Sequence, residues 1–287
     1  MEMDARTNRL LVAAAGGVAA LTALLLAAYF VGPVARSDAI ALHGLRTLSE
    51  HRWIWVVNDG LAHSVDLPYL LAALLVVCGA GLRWGRPRQA VAAALLVGGA
   101  NVATQVVKVA AAHPRYQPIL GSHQLSGPAF PSGHATAAMS LVLAAVLVAP
   151  SRWRPATAIV GGAFALAVSI ALVIQGWHFP SDVLGGFLVA GTVSMLALAG
   201  LRAIEGRMAG GAAVDRRPVF SVRSISVQML EASAVAVAIG IALLMVTHPN
   251  ALTSYAATHT TSVLAAIGIA AASVALIYGV ALEADSR

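Results

Sequence analysis

The chain has 287 residues, 59% of them hydrophobic and 10% charged, with a mean hydropathy of +0.81. A soluble domain carries about 25% charged residues, so this composition excludes a water-soluble globule and makes the bilayer the solvent. The net charge of +6 does not signal a nucleic-acid partner, because the basic residues sit in short connections between apolar runs, where they report topology. The single cysteine, Cys78, excludes an intrachain disulfide.

A bilayer span needs about 20 apolar residues. Eight runs meet or approach that length, at 9–32, 67–82, 89–112, 134–149, 156–177, 181–201, 225–247 and 261–282. The first run exceeds the apolar stretch of about 7–15 residues found in signal peptides. No small-x-small cleavage site follows it, so it reads as a span. The second and fourth are short and extend into their flanks.

Three segments read as connections. Residues 33–66 form a long outer loop of mixed charge with Trp53 and Trp55, lying in the interface with its indoles at headgroup depth. Residues 113–133 form a second outer loop with Pro114, Pro118, Pro128 and Pro131. Residues 202–224 are rich in Arg and Gly and read as a linker. The expected architecture is an all-α membrane bundle, with a six-span core over 1–201, the linker, and two further spans within 225–287.

With a cytoplasmic N-terminus, the inner side holds Arg6, Arg9, Arg83, Arg86, Arg88, Arg152, Arg154, Arg202, Arg207, Arg216, Arg217, Arg223 and Arg287. These are thirteen of the eighteen basic residues. Arg36, Arg46, Arg52 and Arg115 fall outside. This bias puts both termini inside.

Polar groups within or beside spans are costly and ask for a reason. Lys108, the chain's single lysine, lies near the outer end of the third span, and Arg115 follows seven residues later. Two helical turns separate them, so both cations can face one anion. Alone, they read as readily as a snorkelling lysine and a loop arginine. Pro131-Ser132-Gly133-His134 opens the fourth span. The free amides of a first helical turn, a hydroxyl and a glycine make an anion cradle, with His134 beside it; the plain alternative is a capped helix start. His178-Phe179-Pro180-Ser181-Asp182 opens the sixth span. Asp182 can hold one imidazole nitrogen of His178 and leave the other free as a nucleophile; the plain alternative is an interfacial histidine before an acidic first turn. All three elements fall on the outer side, in a topology derived without them.

Together these elements resemble the type 2 phosphatidic acid phosphatase superfamily of integral membrane lipid phosphatases. Its signature runs K-x6-R-P, PSGH and SR-x5-H-x3-D. The resemblance covers residues 9–201 and implies specific roles. His178 is the nucleophile that becomes a phosphohistidine, Asp182 orients it, and His134 is the acid that protonates the leaving oxygen. Lys108, Arg115, Ser132 and Gly133 hold the phosphate. The family implies no cofactor and no metal, and the nine histidines lack a metal-ligand spacing such as His-x3-His with a carboxylate. The implied partners are the bilayer and a phosphorylated lipid or polyprenyl carrier. The implied place is the inner (plasma) membrane, with the site on the extracytoplasmic face.

The chain departs from the signature twice. Tyr116 replaces the proline after Arg115, while Pro114 precedes it. Ala171-Leu172 replaces the Ser-Arg pair, which removes one guanidinium. Losing a preorganised donor costs about 10²–10³ in rate. A substitute donor (His113, His123, Gln175, Arg46 or Arg52), a less demanding substrate, or transfer to an acceptor other than water would each account for it. A non-hydrolytic transferase or lipid-binding carrier on the same fold is the alternative function.

Overall fold

The computed structural model describes residues 5–111, 113–125, 127–208 and 249–285. The described residues are helical, with no strand among them. The helices are α1 (Ala5–Phe30), α2 (Gly32–Arg46), α3 (Arg52–His63), α4 (Leu67–Arg83), α5 (Pro87–Ala110), α6 (Gly133–Val148), α7 (Arg154–Ile174), α8 (Pro180–Met208), α9 (Pro249–Thr258) and α10 (Thr260–Asp285). Single 3₁₀ turns lie at Thr47–Glu50 and Pro118–Leu120. α1, α5, α7, α8 and α10 are long and apolar enough to cross a membrane, and α3 with α4 makes a further pair bent by 60°. The expected all-α membrane bundle is therefore observed. The expected span at 225–247 lies outside the described residues.

Proline in the first turn starts α2, α4, α5, α7 and α8, where its missing N–H is no loss. The end of α7 is built by Gly176, at φ +73°. Its N–H donates to Val173 O at 2.9 Å, and Trp177 N–H donates to Leu172 O at 3.0 Å. This pair of bonds closes the last turn and demands a left-handed residue, hence glycine. The chain then reverses and delivers Trp177 and His178 to the top of α8.

α6 is the axis of the bundle. It packs on α4, α5, α7, α8 and α10 and is apolar all round, as a fully enclosed helix must be. Ala137, Ala138, Met139 and Ser140 are consecutive and all buried, so every face is covered. Its 16 residues span about 24 Å at 1.5 Å per residue, less than the ~30 Å hydrocarbon core. Arg86 and Arg154 secure its C-terminal end, donating to the carbonyls of Val148, Ala149 and Val146. Its N-terminus lies at Ser132–His134.

Two expectations are corrected. Residues 33–66 are not a loop lying on the surface. They form α2, a 3₁₀ turn and α3, and α2 packs against α1, α7, α8 and α10. Low average hydropathy hid a helical stripe: Ala35, Ala39, Leu42 and Leu45 are buried while Arg36, Ser37 and His43 face outward. Trp53 and Trp55 remain exposed on α3. The linker expected from residue 202 begins as helix, because α8 continues to Met208; Arg202 is tied to Glu283 of α10 at 2.8 Å. Residues 209–248 lie outside the described part.

α10 lies against α2, α6, α7 and α8. Tyr255 Oη donates to Gly44 O at 2.8 Å and Ser262 Oγ to Ala41 O at 3.1 Å. The C-terminal helices thus grip α2 as well as the central spans.

Candidate active site

The N-termini of α6 and α8 lie side by side, and glycines on α8 allow it. A Cβ on Gly186 would sit 2.7 Å from Ser132 O and 3.0 Å from Thr136 N; one on Gly185 would meet the Phe130 ring at 2.7 Å. Across this contact Ser132 N–H donates to Asp182 O at 2.8 Å. Two helix starts, each with a histidine, are thereby locked together. The His134 and His178 ring centroids are 6.4 Å apart.

His178 is buried at 7% exposure. Its Nδ1 faces Asp182 Oδ2 at 3.5 Å, longer than a hydrogen bond, and has no other partner among the described residues. Asp182 is fully buried. Its Oδ2 accepts from Phe179 N–H at 2.9 Å, which caps α8, and its Oδ1 pairs with Arg115. The sequence motif therefore supplies one carboxylate that starts a helix and faces the histidine.

Arg115 is placed otherwise than the sequence suggests. Its guanidinium donates to Asp38 Oδ2 at 3.0 Å, to Ser181 Oγ at 2.9 Å and to Asp182. Its flat face lies over the Phe179 ring at 4.0 Å, and its side chain is 6% exposed. Two buried carboxylates need a counter-charge, and Arg115 is it. Asp38, from α2, also accepts from Ser181 N–H at 3.0 Å and from Ser181 Oγ at 2.5 Å. Burial pushes the Asp38 carboxyl up to about 6, against the lowering pull of Arg115 and Ser181. Sequence reasoning missed Asp38 because its segment looked like a loop.

Ser132 also differs from expectation. Its side chain is fully buried and caps α6, accepting from Ala135 N–H at 3.2 Å. Gly133 and His134 occupy the first turn, whose amides have no intrahelical partners. Lys108 reaches this point from α5: a Cβ on Gly133 would lie 3.6 Å from its Nζ and 3.9 Å from Gln105 Nε2. Lys108, Gly133 and His134 are thus brought together, and Gln105 joins them.

His134 has a partner the sequence did not announce. Its Nε2 lies 3.1 Å from Asp66 Oδ1, and Asp66 Oδ2 lies 2.9 Å from His63 Nδ1. Trp177 packs against both imidazoles, with centroids at 5.0 Å for His63 and 5.7 Å for His134. The signal available in the sequence was an acid set directly before a span.

The proposed substitutes for the missing arginine separate clearly. His113, His123 and Arg52 are exposed. Gln175 Nε2 donates to Trp55 O at 2.9 Å and is occupied. Arg46 reaches the turn just before Trp177 and His178: its stem crosses Gly176, where a Cβ would lie 2.6 Å from Cδ and 2.7 Å from Nε. Leu172 itself is fully buried in the core.

A groove of about 490 Å³ opens between α4 and α5. Asp66, Gln105, Lys108, Gly133 and His134 line one part; Leu70, Leu71, Leu74, Val97 and Val102, with Asn101 among them, line the other. A polar corner with an apolar run matches a ligand with a charged head and a hydrocarbon tail.

Residues 67–204 match the family described as the PAP2 superfamily. A relative from Bacillus subtilis (strain 168), named phosphatidylglycerophosphatase B, is 31% identical over 173 residues, 57% of this chain and 83% of that protein. The chain belongs to the PAP2 superfamily. The fold agrees with a solved structure described as the first transmembrane PAP2 type phosphatidylglycerolphosphate phosphatase from Bacillus subtilis. That match has 21% sequence identity and a TM-score of 0.53, covering 68% of this chain and 96% of that one. As a PAP2 member the chain is a multi-pass membrane phosphatase, and the two histidine-bearing helix starts fall inside the matched segment.

Proposed function

We propose that the protein hydrolyses the phosphomonoester or diphosphate of a lipid or polyprenyl carrier through a phosphohistidine, without metal, at the extracytoplasmic face. The observation that carries this reading is the pair of histidines 6.4 Å apart beside an apolar groove. His178 attacks phosphorus through Nε2, which has no hydrogen-bond partner among the described residues, while Nδ1 faces Asp182. The P–O bond breaks, and the departing oxygen takes a proton from His134. Lys108 and the first-turn amides of α6 neutralise the equatorial oxygens, which is the main task in phosphoryl transfer. Water then attacks phospho-His178 and returns a proton to His134. Arg115 braces Asp182 rather than the phosphate, and Arg46 supplies the cation that Leu172 does not.

The assignment of faces rests on charge. Arg83, Arg86, Arg88, Arg152, Arg154 and Arg202 gather at the helix ends opposite the site, as an inner surface requires. The groove admits lipid sideways, so phosphatidylglycerol phosphate, the class named for the Bacillus relative, leads the candidate substrates, with phosphatidic acid and isoprenyl diphosphates after it.

The test is phosphate release by protein in detergent, with chelator present, across those lipids. Wild type should exceed His178→Ala by at least about 10³, since removing a covalent nucleophile typically forfeits that much or more. Equal release by the two proteins on every lipid would sink the proposal. A phosphohistidine trapped without release to water would instead favour transfer to another acceptor.

A further inference from the structure

Asp66 sits where a helix cap belongs. It is the N-cap residue of α4, in extended conformation, yet its side chain makes no capping bond. Aspartate at this position normally accepts from an amide two or three residues on, a contact worth about 1 kcal/mol. Here both carboxylate oxygens are directed elsewhere: Oδ1 to His134 Nε2 at 3.1 Å and Oδ2 to His63 Nδ1 at 2.9 Å. A local preference given up for contacts to two histidines at a groove points to a functional position. Asp66 also stands one residue before the segment that matches the family, 67–204, and outside the three signature motifs.

Resting on the proposed phosphatase reading, we infer that Asp66 is the positioning residue of the acid His134, and that His63 holds Asp66 in place. The carboxylate commits His134 Nε2–H to itself and leaves Nδ1–H as the proton for the departing oxygen. When the P–O bond breaks, its electron pair goes to that oxygen, which takes the Nδ1 proton. The neutral imidazole keeps its Nε2–H on Asp66. In the second step Nδ1 recovers a proton from the attacking water, so the cycle closes with no proton gained or lost. Asp66 is charged throughout, because the His63 hydrogen bond holds its carboxyl below the ordinary range. The His178 ring centroid is 6.4 Å from that of His134 and Lys108 lines the same groove, so Asp66 is the carboxylate that His134 itself contacts.

Trp177 gives the arrangement rigidity. It contacts His63 and His134 and directly precedes His178, so both imidazoles that Asp66 bridges share one aromatic support. The cluster contains metal-ligand residue types, but among the described residues no three of them are grouped to hold an ion.

An acid matters in proportion to how poor the leaving group is. The experiment measures kcat on a long-chain alkyl phosphate and on p-nitrophenyl phosphate, whose aryl oxide leaves without help. Wild type, Asp66→Asn and His134→Ala are compared in one detergent. General acid catalysis contributes about 10²–10⁴, so His134→Ala should lose that much on the alkyl ester and far less on the aryl one. Asp66→Asn should lose about 10- to 100-fold on the alkyl ester and less than about threefold on the aryl ester. The aryl rate also reports that the variant is folded. Equal losses on both esters for Asp66→Asn, with His134→Ala still selective, would overturn the inference and make Asp66 merely structural. A non-selective His134→Ala would instead strike the acid role in the proposed function. A wild type inert on both esters would strike the phosphatase reading.

Discussion

The two histidines stand in opposite surroundings. His178 and Asp182 have side chains 9% and 0% exposed, and the Arg115–Asp38–Ser181 network seals them from behind. His134 and Asp66 are 32% and 38% exposed and border the groove. In the proposed mechanism the nucleophile strikes one point along one line, which fits a half fixed by buried charges. The proposed acid meets leaving groups that arrive from the lipid, which fits a half that faces the opening. The same pairing of histidine with carboxylate thus serves rigidity on one side and access on the other.

The contact between the halves is the place to break both at once. Gly186 lets α8 touch the backbone of Ser132 and Thr136, and the one side-chain atom there, Thr136 Oγ1, is buried and hydrogen-bonded to Ser132 O. Gly186→Ala should force the helices apart at an overpacking cost of about 1–3 kcal/mol. A displacement near 1 Å in a catalytic pair costs about 10² in rate. Phosphate release should fall by that order on alkyl and aryl esters alike, because both histidines lose registry. Retained activity with an unchanged thermal midpoint would show that the contact is looser than the geometry states.

A smaller effect tests whether the sealed half borrows a cation. Arg46→Ala should lower kcat by about 10–100-fold, the lower part of what a lost preorganised donor costs. Arg52→Ala, on exposed α3, should stay within about twofold. Equal rates in wild type and Arg46→Ala would return the deficit at Leu172 to the nature of the substrate.

Much of this was legible beforehand. Long apolar runs announce spans because no other structure satisfies the backbone in lipid. The start of α8 was legible too, from Pro180. The tetrapeptide and the His178–Asp182 pair were readable because their chemistry is local, within four residues. What escaped came from contacts across the chain. Asp38 is 143 residues from Ser181 and Asp66 is 68 from His134. Asp38 sits in an amphipathic helix whose charged outer face lowered its hydropathy to that of a loop. Arg115 was read as facing the ligand because spacing fixes where a helix face points. Spacing does not reveal that two carboxylates wait beside it.

The smallest expected effect concerns pH and tests the sealed half alone. Asp38 ionises near 6 when folded and near 3.9 in an unfolded chain. Between those values the folded state binds more protons, so rising pH works against folding. The stabilising contribution of this group is complete below about 4 and is lost as pH rises through 6. Asp38→Asn keeps an acceptor for Arg115 and Ser181 but cannot titrate. Thermal midpoints measured at one scan rate should therefore fall less between pH 4 and pH 6 in Asp38→Asn than in wild type, by a few degrees. Activity at neutral pH should change little more than about threefold, because Asp182, and not Asp38, faces His178. Parallel pH curves for the two proteins would mean that Arg115 neutralises both carboxylates fully. The sealed half would then be charged at every pH at which the enzyme works.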